Sequence, residues 1–179
     1  SKTINISPRK SQPIVPWKRD AVQKIIDGHP PRYQMIPTVG ICCGPRPNEL
    51  FALAAEDLDE QEGLLRIERQ LKRVKDKDGK WTTVFGLPKS GKTRATTLSP
   101  RMGELLREHM AAFPPIPITL KWEDPDGEEY RTYHLIFTWK RRGRDGEVTF
   151  IDLGNYTKVV WCPALVNADL LKPARTAEA

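Results

Sequence analysis

The sequence predicts an α+β fold, mainly helical, with a small three-stranded antiparallel sheet at one side. Two helix-rich stretches predict it, one before about residue 55 and one after Ser99, each with apolar residues at helical spacing. Between them lie short β-branched and aromatic segments separated by turn signals. The region shows no strand–helix–strand alternation of the kind that builds a parallel sheet.

In order along the chain, residues 1–13 are polar and basic and are expected to form a linker or arm, with the folded domain spanning 14–179. Residues 17–27 place Val22, Ile25 and Ile26 on one helical stripe, with Gly28 as a stop. His29-Pro30-Pro31 is a break. Residues 32–43 are apolar and predict a buried helix, which Pro37 should kink or shorten. Pro47 suits the first turn of another helix carrying Leu50, Phe51, Leu53 and Ala54, closed by Asp57 and Asp59.

Three strands are then expected, at residues 64–71, 81–85 and 93–98, with Asp78-Gly79 as the turn between the first two. Ser99-Pro100 is a hydroxyl cap followed by a first-turn proline, opening a helix that carries Met102, Leu105, Leu106 and Met110. Residues 118–122 and 130–137 read as extended segments around Asp124-Pro125-Asp126-Gly127. A basic loop at 140–144 leads to Asp152, a cap for a last helix with Tyr156, Val159, Val160 and Leu165. The tail from Lys172 is small and polar and is expected to fray.

The bulk numbers narrow the classes of function. Hydrophobic residues make up 39% of 179, enough for a core, which argues against wholesale disorder. No apolar run approaches the ~20 residues of a membrane span, and residues 1–11 lack the apolar segment of a secretory signal. The chain begins without Met, which suggests an excised or processed piece. Cys42, Cys43 and Cys162 make a poor disulfide framework and a poor metal site, so buried thiols and a cytoplasmic protein are expected. A net charge of +6 favours a polyanionic partner.

One motif suggests nucleotide chemistry. Gly86-Leu87-Pro88-Lys89-Ser90-Gly91-Lys92-Thr93 fits the phosphate-binding P-loop pattern, and residues 148–152 end in an Asp that could hold Mg²⁺. A P-loop requires a helix that opens at Gly91-Lys92-Thr93, because its free N–H groups hold the phosphates. Thr96-Thr97 favours extended backbone instead, and the next helix signal comes only at Ser99-Pro100. A phosphotransferase using Lys92 and Thr93 is therefore the lesser reading, beside a non-catalytic basic module that binds nucleic acid.

A second constellation carries further. In Gly44-Pro45-Arg46-Pro47-Asn48-Glu49-Leu50 an arginine stands where a turn becomes a helix, where it can bind a phosphate oxygen with permanent charge and bidentate geometry. Glu49, three residues on, can orient that guanidinium or simply pair with it on the surface. Further along, Pro88-Lys89-Ser90 puts an ammonium at the expected hairpin turn. With Leu53 and Asp57, the three strands, Leu135-Ile136-Phe137-Thr138, and Trp161 and Ala164, these residues resemble the catalytic domain of the tyrosine recombinase, or phage-integrase, family over about residues 32–171.

The resemblance implies a site-specific DNA recombinase or integrase that cuts and rejoins DNA through a 3′-phosphotyrosyl link, without metal or nucleotide cofactor. It implies double-stranded DNA as partner and a tetramer of the parent on DNA. Arg46 would bind the scissile phosphate, Glu49 would support it, and Lys89 would be the general acid, with Lys92 the rival for that role. Lys92, Arg94, Arg141 and Arg142 would contact DNA. The family's second motif, His-x-x-Arg, is matched only by His29-Pro30-Pro31-Arg32, which precedes Arg46 and holds two prolines. Tyr33, Tyr130, Tyr133 and Tyr156 all lie before the position of the family's nucleophile and are expected to pack and hydrogen-bond. The expectation is a partial, truncated catalytic domain without strand cleavage of its own.

Overall fold

Local stop and start signals place the helices of the computed structural model, which describes residues 16–140 and 148–172. The expected arm at 1–13 and the tail beyond Lys172 lie outside the described residues. Helix α1 (Arg19–Gly28) buries Ile25 and ends where Gly28 closes on the last helix. A Cβ at Gly28 would sit 2.6 Å from the Ala164 carbonyl oxygen. Helix α2 (Met35–Cys43) is uninterrupted, contrary to the expected kink. Pro37 is its third residue, in the first turn, where a backbone N–H has no partner inside the helix. Gly44, at φ 64°, caps its end.

Pro47 opens helix α3 (Pro47–Leu50), which is one turn long, shorter than the sequence predicts. Phe51, Ala52, Leu53 and Ala54 are all buried as the chain turns out of α3 through the core and becomes extended at Ala54. The Ile136 N–H donates to the Leu53 carbonyl at 3.0 Å, and Ala54 bridges Leu135. Asp57, expected to close a helix, instead belongs to a 3-10 turn (Ala55–Asp57) and accepts the Ala54 N–H at 2.8 Å.

The expected first strand is two strands, β2 (Leu64–Ile67) and β3 (Gln70–Lys75). The break falls where Arg69 sends its side chain inward. Its guanidinium donates to both Asp57 carboxylate oxygens at 2.7 Å and to the Ala52 carbonyl at 3.2 Å, and lies 3.7 Å from the centre of the Tyr133 ring. Strand β3 forms a hairpin with β4 (Trp81–Gly86) through the expected Asp78-Gly79 turn, with Leu71 opposite Phe85 and Lys75 opposite Trp81. Strand β5 (Arg94–Thr97) pairs with β2, not with β4. A three-stranded antiparallel sheet is present, but its order is β1–β2–β5, with β1 (Leu58–Asp59) supplying the third strand.

Ser99 Oγ accepts the Met102 N–H at 3.3 Å and opens helix α4 (Pro100–Ala112), whose Met102, Leu106 and His109 are buried. Two further pairs follow: β6 (Ile116–Lys121) with β7 (Tyr130–Leu135), and β8 (Thr138–Lys140) with β9 (Val148–Phe150). With nine strands among the described residues, the fold is a mixed α/β arrangement of small antiparallel sheets, not a mainly helical one. Asp152 Oδ1 accepts the Asn155 N–H at 2.9 Å to begin helix α5 (Leu153–Tyr156). A π-turn (Thr157–Trp161) joins it to α6 (Cys162–Asn167). Pro163 has no N–H to give the Val159 carbonyl, and the wider turn accommodates its ring.

The core lies where α2 and α4 meet the sheets, with Phe51, Phe85, Phe137, Leu65, Ile67, Leu106 and Leu135 fully enclosed. Of the three thiols only Cys43 is buried. Cys42 is exposed and Cys162 half-buried. Among the tyrosines, Tyr156 is buried, while Tyr130 is 59% exposed and does not pack as expected. An apolar groove of about 590 Å³ runs along α1, α2 and the π-turn, lined by Ile36, Ile41, Phe51, Tyr156 and Trp161. Among the described residues no helix is long and apolar enough to cross a membrane.

Candidate phosphate-binding site

Glu49 is the centre of the site. Its carboxylate is fully buried, on the one-turn helix that Pro47 begins. Glu49 Oε2 accepts the Arg46 backbone N–H at 2.9 Å, and Oε1 accepts from Arg46 Nη1 at 3.0 Å. Arg94, the first residue of β5, donates to the same two oxygens at 2.6 and 3.1 Å. Burial alone would raise the Glu49 pKa, but the hydrogen bonds from Arg94 and Arg46 prevail and hold it below the usual carboxylate range. The same contact raises the Arg94 pKa.

Two cations therefore share one buried anion, leaving a net positive charge at the surface. The Arg46 and Arg94 side chains are 55% and 38% exposed. The Arg46 guanidinium has no acceptor besides Glu49 among the described residues, so its remaining N–H groups are available to an oxyanion. The helix dipole adds little here, since α3 is a single turn; the site's field comes from the two guanidiniums. Arg94, expected among the DNA contacts, is thus joined to Arg46 through Glu49.

Lys89 and Lys92 stand on the exposed loop 87–93 between β4 and β5, which is not the turn of a two-stranded hairpin because those strands pair with different partners. The loop is compact at its tip, where the Gly91 N–H donates to the Pro88 carbonyl at 2.7 Å with Gly91 at φ 69°. Neither ammonium is ion-paired among the described residues. Lys89 is five residues from Arg94, so its backbone lies within about 17 Å of that arginine's. Arg141 and Arg142 lie outside the described residues, as does most of the basic 140–144 loop.

A residue that the sequence gave no reason to select fixes the other end of this loop. Glu123, at φ 60° after β6, donates its N–H to the Phe85 carbonyl at 2.7 Å. Its carboxylate accepts the Leu87 N–H, and Lys72 Nζ at 2.6 Å. Gln70 Nε2 donates to the Leu87 carbonyl at 2.7 Å. Burial works to raise the Glu123 pKa, but Lys72 and the Leu87 N–H lower it on balance. The loop that bears Lys89 and Lys92 is therefore anchored by Glu123 at its start and by Glu49, through Arg94, at its end. The Arg69–Asp57 pair was also missed, although an arginine inside the apolar alternation Ile67 to Leu71 was a visible signal.

The P-loop geometry is absent. Gly91-Lys92-Thr93 runs directly into strand β5, antiparallel to β2, and helix begins only at Pro100. Asp152 caps α5. Among the described residues no cluster of His, Cys, Asp and Glu could hold a metal ion. His29 and Arg32 do not act together either. His29 is buried between the Ile25 carbonyl at 2.6 Å and the Tyr156 hydroxyl at 3.0 Å, while Arg32 donates to Thr138 Oγ1 at 2.6 Å and to its carbonyl at 3.2 Å.

Frame and site together define a mixed α/β fold of small antiparallel sheets that holds exposed arginines against a buried carboxylate, a geometry suited to phosphate. In fold the chain is similar to a crystal structure of XerA recombinase, with a TM-score of 0.56 and 16% identity over 94% of this chain. The match takes in 48% of the recombinase, so this chain spans about half its length. At that identity the likeness is one of fold. No family model and no curated protein matches the sequence.

Proposed function

We propose that this chain is part of the catalytic domain of a DNA recombinase of the tyrosine type, with Arg46 as the ligand of the scissile phosphate. The observation that carries the reading is the Glu49 clamp, which joins Arg46 to Arg94 at the end of the loop bearing Lys89. The fold likeness to XerA recombinase supports the same reading. In this mechanism Arg46 holds a nonbridging phosphate oxygen and stabilises the charge that grows in the pentacoordinate transition state. Glu49 fixes the direction of its guanidinium. Lys89 gives its proton to the departing 5′ oxygen, and Lys92, Arg94, Arg141 and Arg142 bind the flanking backbone. The residues of this chain supply no His-x-x-Arg box in the required order and no tyrosine nucleophile after it, so this chain by itself binds DNA without cutting it.

The test is fluorescence anisotropy of a labelled duplex at low and moderate salt, with the Arg46→Ala/Lys89→Ala variant and with ATP·Mg²⁺ as competitor. Salt-sensitive binding that weakens about tenfold or more in the variant, as expected for two lost charged contacts, and that ignores nucleotide, supports the reading. Binding of nucleotide without binding of DNA refutes it.

A further inference from the structure

The outer half of the β3–β4 hairpin carries a charge and ring arrangement that the Arg46 site does not use. In antiparallel pairing, directly opposed residues share a face, so Arg73, Thr83, Lys75 and Trp81 lie on one side. Trp81 is 54% exposed, unusual for the largest apolar side chain. The Arg73 guanidinium lies 5.4 Å and the Lys75 ammonium 5.3 Å from the centre of its ring. Both cations are exposed, and neither is ion-paired among the described residues. The turn carboxylates accept backbone N–H groups and make no ion pair with either cation. Asp76 Oδ1 accepts the N–H groups of Asp78 and Lys80 at 3.0 and 2.8 Å, and Asp126 Oδ2 accepts that of Lys77 at 2.8 Å. On the opposite face Lys72 is neutralised by Glu123. The positive charge is therefore concentrated on the side that holds the ring.

A groove of about 300 Å³, lined by Arg73, Thr83 and Asn48 together with Phe150, Asp152 and Gly154, adjoins that face. Asn48 is on α3, two residues after Arg46. Arg46 does not line this groove and Asp152 places a carboxylate in it, so the positive charge of this face is that of Arg73 and Lys75. Residues two apart on one strand are spaced about 7 Å, comparable with the step between neighbouring phosphates of one nucleic-acid strand.

We infer that the Arg73–Lys75–Trp81 face of the hairpin is a second contact surface for the backbone of duplex DNA. The inference rests on the DNA-binding reading of the Arg46 site and adds to it a named surface outside the catalytic set. Arg73 and Lys75 each neutralise a phosphate, and Trp81 packs its exposed ring against the adjoining sugars, where it excludes water from both ion pairs.

The experiment is a salt titration of duplex binding by the whole chain, followed by anisotropy of a labelled duplex of about 30 base pairs, long enough to extend beyond a single site by roughly two helical turns. Four variants accompany it: Arg73→Gln/Lys75→Gln; Trp81→Ala; Trp81→Phe, which keeps a ring if the hairpin needs one; and Arg101→Gln/Arg107→Gln, which removes the same charge from α4. Circular dichroism confirms that each variant folds. Two lost phosphate contacts should lower the salt slope by about 1.8, so that the change in affinity between 50 and 200 mM salt shrinks by roughly tenfold. Trp81→Ala should weaken binding severalfold at an unchanged slope, and Trp81→Phe should restore most of it. The α4 variant should keep the wild-type slope. If the hairpin variants behave like the α4 variant, the inference is overturned while the Arg46 reading stands. If they lose affinity but Arg46→Ala/Lys89→Ala does not, the hairpin surface stands and the Arg46 reading falls. A wild-type chain that binds no duplex overturns both.

Discussion

Two buried carboxylates, each held by arginine, do different work, and their exposure tells them apart. Asp57 and Arg69 are both nearly inaccessible, at 2% and 4% side-chain exposure, so Asp57→Asn leaves a guanidinium charge shut off from water with only the half-exposed Glu68 carboxylate, 3.7 Å away, as counterion. Breaking such a pair from one side costs about 3–5 kcal/mol. Glu49 is equally buried, but its partners reach solvent, which takes over much of their solvation when the carboxylate is neutralised. Glu49→Gln is expected to cost about 2 kcal/mol, less than Asp57→Asn, as read from urea unfolding midpoints. The reverse order would show that the Glu49 clamp holds the fold as firmly as it orients Arg46. Its pH dependence has a definite sign. Because the folded Glu49 pKa is depressed, its contribution is present above the unfolded value of about 4.3 and disappears as pH falls through the folded value. The gap between wild type and Glu49→Gln should therefore close below about pH 4.

The legible elements are those whose signals are local. Ser99-Pro100, Gly44 and Asp152 each act within four residues of themselves, and each starts or stops a helix where the sequence places it. Strand pairing is non-local, and nothing in residues 93–98 says whether they join β4 or β2. The run Leu50 to Ala54 misled for a related reason. A segment buried on all sides has no periodicity to distinguish a helix from a chain crossing the core. Within the candidate site, Arg46 and Glu49 were legible because they are three residues apart, whereas Arg94 and Glu123 reach their partners only through the fold. The anchoring of loop 87–93 belongs to this scale and can be measured. Glu123→Ala removes the acceptor of the Leu87 N–H, so exchange of that amide should accelerate about tenfold, the equivalent of one hydrogen bond of ~1.4 kcal/mol. Unchanged exchange at Leu87 would mean that Gln70 and the β3–β4 ladder hold the loop without it. At the other end of the molecule, Gly28→Ala forces a Cβ to within 2.6 Å of the Ala164 carbonyl oxygen. Backbone must move there, and a loss of about 1–3 kcal/mol in unfolding free energy is expected.

Across the whole molecule, two histidines join distant parts of the chain and give its stability a pH dependence near neutrality. His29, just after α1, is hydrogen-bonded to Tyr156 of α5, 127 residues away. Its Nδ1 faces the Ile25 carbonyl, so Nδ1 carries the proton and Nε2 accepts from the tyrosine hydroxyl, which defines the neutral ring. His109, on α4, is packed against Phe113 and Phe137. Burial lowers the pKa of both, and for His109 the nearby Arg32 guanidinium lowers it further. The unfolded chain therefore binds these protons at higher pH than the folded one does. Stability is fully present above the unfolded histidine pKa of about 6.5 and declines as pH falls from there toward the folded values. This window lies above the one in which Glu49 titrates, so the two effects separate along the pH axis. Urea midpoints should hold steady from pH 8 to 7 and drop between pH 6.5 and 5. The double variant His29→Gln/His109→Gln, less stable at pH 8, should lose most of that drop. A wild-type midpoint that stays level to pH 5, or a double variant that falls as steeply as wild type, would show that neither ring is kept neutral by the fold. The His29–Tyr156 bond would then tie the end of α1 to α5 without fixing the charge of the ring.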